Sequence, residues 1–223
     1  MSTWMQALQA NKIVVQPTMA STFFKLLSLF LLASMVSASD LDIILDFLAF
    51  ANSIALDGNF FTFIGLHNIY DVDYPPNFKV TRASTVEFPA LNGQSVSFAS
   101  LEYLTGTLNP PHIHSRSVEL LIVVDGSLEV GFVDTIGKLY TQALQVVDIF
   151  VFPKGLVHYQ YNPSPDQPAM AISTFGSANA GTVSIPSTVF VTSIDDDVLA
   201  KGFKTDVATI QKIKAGLGAK AKI

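Results

Sequence analysis

GTLNPPHIHSRSVELLIVVDG, residues 106–126, places His112, His114 and Glu119 within eight positions. Its second half, VELLIVV, is rich in the β-branched and apolar residues that suit a strand. Successive side chains of a strand alternate between faces, so His112 and His114 point the same way. A second segment, DIFVFPKGLVHYQYN at 148–162, supplies His158. The chain has four histidines, and these two segments hold three of them. Two imidazoles and a carboxylate on one wall, with a third imidazole from another strand, can close around one divalent metal ion. Neutral imidazole and carboxylate suit Mn, Fe, Ni, Cu or Zn, and ligand type alone does not choose among them. Three His and one Glu leave positions open on an octahedral ion for water, a small carboxylate or dioxygen. The remaining histidine, His67, sits among apolar residues in FFTFIGLHNIY and reads as a structural or surface group.

On either side of these segments the chain reads as short strands broken by turns. FKVTRASTVEFPAL and SVSFASLEYL are β-rich runs divided by Asn92-Gly93, a strong turn signal. SVELLIVV and SLEVGFV are strands on either side of an Asp125-Gly126 turn, and Leu139–Val147 and Ile149–Phe152 follow as strands. Pro110-Pro111 hold the start of the histidine strand extended. Pro153-Lys154-Gly155 is a turn that delivers His158, with Gly155 supplying a positive φ. After the Pro-rich loop YNPSPDQPA, Ala169–Phe175 and Ser187–Phe190 read as the last strands. The pattern predicts an all-β, single-domain β-barrel of jelly-roll type. From Ser193 the character changes to helical. Asp195, Asp196 and Asp197 mark one helix start. Thr205 is placed to cap a second helix, with Val207, Ile210, Ile213 and Leu217 at helical spacing. That apolar stripe is expected to cover a neighbouring subunit.

The two segments resemble the paired boxes of the cupins, and specifically of germins and germin-like proteins. The first box of that family reads G-x5-H-x-H-x4-E-x6-G, and Gly106, His112, His114, Glu119 and Gly126 fill every position. The second reads G-x5-P-x-G-x2-H-x3-N, matched by Pro153, Gly155, His158 and Asn162, with Val147 standing where a Gly is expected. Val disfavours positive φ, so the turn at Val147 is expected to differ. The likeness runs from about Asp40 to near the C-terminus. It implies a cupin barrel with C-terminal helices, a single Mn ion held by His112, His114, Glu119 and His158, and a homo-oligomer, dimer or hexamer. Asn109 and Asn162 are implied as residues near the ligands, Asn162 rather tying the loop after His158. An amide near the metal in germins that oxidise oxalate aligns with Ala99, which argues against oxalate oxidation here. The family's Cys pair falls at Leu48 and Phe61, where an apolar contact would replace the disulfide.

The chain has 223 residues, enough for one domain with a sizeable core. Hydrophobic residues make up 49% and charged residues 14%. The net charge of −5, with no basic patch, argues against a nucleic-acid partner. The absence of Cys excludes a disulfide, a zinc–thiolate site or a cysteine nucleophile. No GxSxG, Walker or Rossmann loop occurs, nor an N-x-[ST] glycosylation acceptor free of Pro. MASTFFKLLSLFLLASMVSAS, residues 19–39, has a Lys, an apolar run at Leu26–Val36 and small residues in the order of a secretory signal. A buried helix or a membrane anchor is the competing reading, but the run is short of the ~20 residues a spanning helix needs. The expected organisation is an extension of doubtful status at 1–18, a signal peptide at 19–39 and the germin-type domain at 40–223. The barrel is expected over about 60–192 and the helices over about 193–217. Secretion follows, with no membrane attachment after cleavage, and the resemblance implies the plant apoplast or cell wall as the destination. Superoxide dismutation is the expected activity, and a non-enzymatic structural, binding or storage role is the alternative.

Overall fold

The computed structural model describes residues 57–67 and 74–218. Among the described residues ten strands run β1 (Lys79–Ala83), β2 (Ser97–Tyr103), β3 (Leu108–His114), β4 (Glu119–Asp125), β5 (Ser127–Val133), β6 (Leu139–Gln145), β7 (Ile149–Phe152), β8 (His158–Tyr161), β9 (Ala169–Phe175) and β10 (Thr182–Ser184). Three helices follow: α1 (Ile185–Phe190), α2 (Asp196–Phe203) and α3 (Val207–Gly218). The strands form two five-stranded antiparallel sheets, in the orders β1-β2-β9-β4-β7 and β10-β3-β8-β5-β6. This is the all-β jelly-roll sandwich with C-terminal helices. Among the described residues the sheets stay separate, so the hydrogen-bonded ring of a closed barrel is not made.

The core lies between the sheets, and the alternation of strand side chains builds it. Ala99, Leu101 and Tyr103 of β2, Leu121 and Val123 of β4, Leu128 and Val130 of β5 and Ala169 and Ala171 of β9 all turn inward. Asp125-Gly126 is a turn, yet β4 and β5 do not pair: the chain steps there from one sheet to the other. Gly126 is required at that step. Its φ is +69°, and a Cβ would collide with the Pro168 carbonyl.

Several expectations are corrected. Only the first part of FKVTRASTVEFPAL is strand, because Pro89–Leu91 close a 3-10 turn. Ser187–Phe190 belongs to α1, whose first turn carries Pro186; the β-branched Thr188 and Val189 gave it a strand-like composition. Asp206, not Thr205, caps α3, accepting from the Thr209 amide at 2.8 Å. The turn at Val147 keeps the glycine geometry despite the Val, with φ +69°. The Val147 amide donates to the Val123 carbonyl at 2.9 Å, and that bond holds the residue in the left-handed region. The helix stripe is covered partly within the subunit. Ile210 packs with Leu199 and Ala200 against Val189, Phe190 and Val207. Leu48, one side of the expected Leu48–Phe61 contact, and residues 1–39 lie outside the described residues.

Candidate metal centre

His112 and His114 sit on β3, His158 on β8 and Glu119 at the first position of β4 in the other sheet. Register brings the first two strands together, with His112 directly opposite His158. The pairing slips between Asn109 and His112, where Pro110-Pro111 lack the N–H groups a ladder needs. Two residues of β3, Pro110 and Pro111, thus stand opposite one of β8, Tyr159. The resulting bulge turns Asn109 to the side of His112, although three positions separate them. The Asn109 amide nitrogen lies 3.4 Å from His112 Nε2.

All four side chains are buried, and one ligand-type atom from each lies within 4.8 Å of the others. His114 Nε2 and His158 Nε2 approach the same Glu119 oxygen, Oε2, at 2.9 and 3.0 Å. The opposite ring nitrogens are all engaged. His112 Nδ1 faces the Pro110 carbonyl at 2.8 Å, His158 Nδ1 faces the Leu156 carbonyl at 2.8 Å, and His114 Nδ1 faces Thr182 Oγ1 at 3.1 Å. A carbonyl only accepts, so Nδ1 of His112 and of His158 carries the hydrogen. Each Nε2 of a neutral ring is then a bare lone pair aimed at the cluster. For His158 that lone pair meets a carboxylate oxygen at 3.0 Å, an acceptor against an acceptor. Such a pair in a buried site calls for positive charge between the two groups, a proton or a cation. The donor set therefore fits a divalent metal ion: neutral nitrogen lone pairs and one carboxylate, oriented by partners on their far sides.

Glu119 is held from behind by groups that sequence reading did not single out. Ser173 Oγ and Gln160 Nε2 donate to its Oε1 at 2.5 and 3.3 Å, leaving Oε2 to the histidines. The Gln160 carbonyl oxygen in turn accepts from Asn109 at 2.7 Å. The signal for Gln160 was present, since it stands two positions from His158 and shares its face. Burial works to raise the Glu119 pKa, but the imidazoles of His114 and His158 outweigh it and hold the carboxyl below the ordinary range. Burial, reinforced by His158, lowers His112 to about 4. The first shift keeps the carboxylate ionised and the second keeps the His112 ring neutral, the state each needs as a ligand. The rings are walled by Phe152, stacked on His158 at 4.6 Å, and by Phe175, edge-on to His114 at 4.7 Å.

Asn162 stands apart from the cluster. Its amide donates to the Gln167 and Leu104 carbonyls at 2.8 and 3.3 Å, and its oxygen accepts from the Ser164 amide at 3.0 Å. It pins the loop after β8. His67 is exposed and takes no part. A cavity of about 490 Å³ adjoins the cluster and reaches the surface, lined in part by Phe78, Arg82, Ala99, Asn109 and Phe175.

A two-sheet jelly roll carrying a buried three-histidine, one-glutamate cluster defines a class, and residues 66–211 match the family described as Cupin. The chain belongs to that family, and within it to the germin-like proteins. It is 60% identical over 191 residues to Germin-like protein 9-3 of Oryza sativa subsp. japonica, covering 82% of this chain and 89% of that one. It is 54% identical over 209 residues to Putative germin-like protein 9-2 of the same organism, covering 89% of this chain and 97% of that one. Among solved structures, one from a study of the mechanism of oxalate oxidase superposes with a TM-score of 0.69 at 28% identity. It covers 80% of this chain and 98% of its own.

Proposed function

We propose that the chain is a secreted manganese protein of the plant apoplast that dismutes superoxide, with His112, His114, Glu119 and His158 holding one Mn ion per subunit. The observation that carries the metal assignment is the acceptor-to-acceptor approach of His158 Nε2 and Glu119 Oε2, 3.0 Å apart in a buried site. Bound there, manganese supplies one-electron redox chemistry to a small oxygen species. The protein's part is orientation and exclusion. Carbonyls behind His112 and His158 fix both rings with Nε2 inward, and Ser173 with Gln160 fixes the carboxylate. Phe152 covers one face of His158 and Phe175 packs edge-on to His114, leaving the cavity as the approach to the rings. Asn109 offers its amide at the edge of the site, while Asn162 supports the loop behind it. The signal-like segment at 19–39 supports secretion.

A structural or binding role is the second reading, favoured by one feature: Glu119 comes from one sheet and the three histidines from the other, so an ion would staple the sandwich. Elemental analysis of the protein from its native secreted fraction, run beside superoxide and oxalate assays, separates the readings. His112→Ala and His158→Ala are expected to lower Mn content severalfold or more, and unchanged Mn in either variant would contradict the assignment. Turnover of superoxide abolished by His114→Ala supports the enzyme; bound Mn without turnover supports the structural role. Oxalate is expected to release little or no peroxide, because Ala99 offers only a methyl group to the cavity.

A further inference from the structure

The cavity beside the cluster is larger than a dioxygen species needs. Its volume of about 490 Å³ lies within the ~300–1,000 Å³ of sites that enclose whole organic ligands. Its walls are apolar over much of their extent, with Phe78, Val80, Ala99, Leu101 and Phe175 contributing. One cation faces it. Arg82 lies two positions after Val80 on β1, on the face that packs toward the core, and its cross-strand partner is Ala99. The Ala99 methyl leaves the space in front of that guanidinium open. Among the described residues no carboxylate lies within ion-pair distance of Arg82. Glu87, the other charge at the rim, has Oε2 committed to the Ser84 amide and hydroxyl at 3.0 and 2.5 Å. Arg82 feels the Glu87 charge but makes no ion pair with it among the described residues, so its guanidinium beside an apolar chamber is a fork for a ligand carboxylate.

We propose that this cavity binds an amphipathic monocarboxylate, with its carboxylate on Arg82 and a flat apolar body between Phe78, Val80 and Phe175. The far end of such a ligand faces the histidine cluster. Arg82 is thus a specificity-determining residue that selects an anionic head, and Ala99 admits the body behind it. The inference deepens the reading above, since it takes the chamber as the way to the metal centre. It also names a ligand class for the approach to that centre, aryl or alkenyl carboxylates, that a compact dicarboxylate does not resemble: a compact dianion would leave the apolar walls wet.

The test is isothermal titration of the full, Mn-loaded protein with cinnamate, cinnamyl alcohol and oxalate. Cinnamate is expected to bind at least tenfold more tightly than its neutral alcohol and more tightly than oxalate. Arg82→Gln is expected to erase the preference over the alcohol, and Arg82→Lys to restore part of it. Arg82 is exposed, so both variants are expected to fold, and a circular dichroism spectrum checks this. Equal affinity for cinnamate and cinnamyl alcohol, tighter oxalate binding, or an Arg82→Gln variant that keeps the preference would each overturn the proposal. Mn content measured on the same samples separates the two readings. Cinnamate selected through Arg82 without Mn would support this inference and sink the metal assignment. Mn bound without any hold on cinnamate would do the reverse.

Discussion

At the scale of single residues, the cluster depends on groups that never touch an ion. Ser173 donates to Glu119 Oε1 at 2.5 Å and so decides which carboxylate oxygen faces the histidines. Partners of this kind typically change metal affinity ~10–100-fold when removed. Ser173→Ala is therefore expected to weaken Mn binding by about one order of magnitude while leaving the fold intact, read by competition with a chelator. Equal retention of Mn in the variant would show that Gln160 alone suffices. Ser173 was illegible in the sequence because serines are common and nothing local marks one whose partner stands on the neighbouring strand, β4, far back along the chain. His112 and His114 were legible because HxH spacing on a strand needs no tertiary knowledge, and Glu119 and His158 because they fill their places in the two family boxes. Val147 makes a different point. It is 74% exposed and holds φ at +69°, a conformation that costs an L-residue ~1–2 kcal/mol. Glycine avoids that cost but loses about 0.5–1 kcal/mol more chain entropy on folding. Val147→Gly is expected to stabilise the protein by up to about 1 kcal/mol in urea melts. A destabilised variant would mean that the Val side chain packs usefully.

At the scale of elements, β3 shows why the histidines converge. A plain ladder would send Asn109 and His112 to opposite faces, and the bulge at Pro110-Pro111 sends them to the same one. Sequence reading recognised the prolines as geometric but had no access to register, which depends on β8 some fifty residues on. The helix α1 was hidden for the same kind of reason: six residues with three β-branched members look like strand until their neighbours are known. The outer face of β4 and β7 raises a further expectation. Leu120 lies opposite Val151 and Ile122 opposite Ile149. Leu120, Val151 and Ile149 are 45%, 50% and 60% exposed. A contiguous apolar patch at a sheet edge marks an interaction site, and a second copy of the chain fits the homo-oligomer expected from the resemblance. Val151→Lys places a charge at the centre of that patch. It is expected to lower the mass found by light scattering without loss of Mn, and an unchanged mass would clear this face of any role in assembly.

At the scale of the whole molecule, the cluster joins the two sheets, so its charge state couples to global stability. In metal-free protein, His112 in the folded state titrates at about 4, against an ordinary value of 6.5, because burial and His158 oppose its protonation. The unfolded chain therefore takes up that proton first as pH falls. Folded stability from this group is whole above pH 6.5 and is lost through the window down to about 4. Two and a half units correspond to a loss on the order of 3 kcal/mol. Glu119 adds in the same direction lower down, since its folded pKa lies below its ordinary value of 4.5 and its contribution fades beneath that pH. A bound ion excludes the protons, but they compete with it for the same lone pairs, so metal affinity falls over the same range. Melting temperatures of stripped and Mn-loaded protein, taken from pH 7 to pH 4, check this. The stripped protein is expected to lose stability steadily on acidification. The loaded protein is expected to melt higher at pH 7, with the gap narrowing toward pH 4. A stripped protein whose melting temperature stays level from pH 7 to pH 4.5 would show that His112 reaches its proton in the folded state as easily as in the unfolded chain.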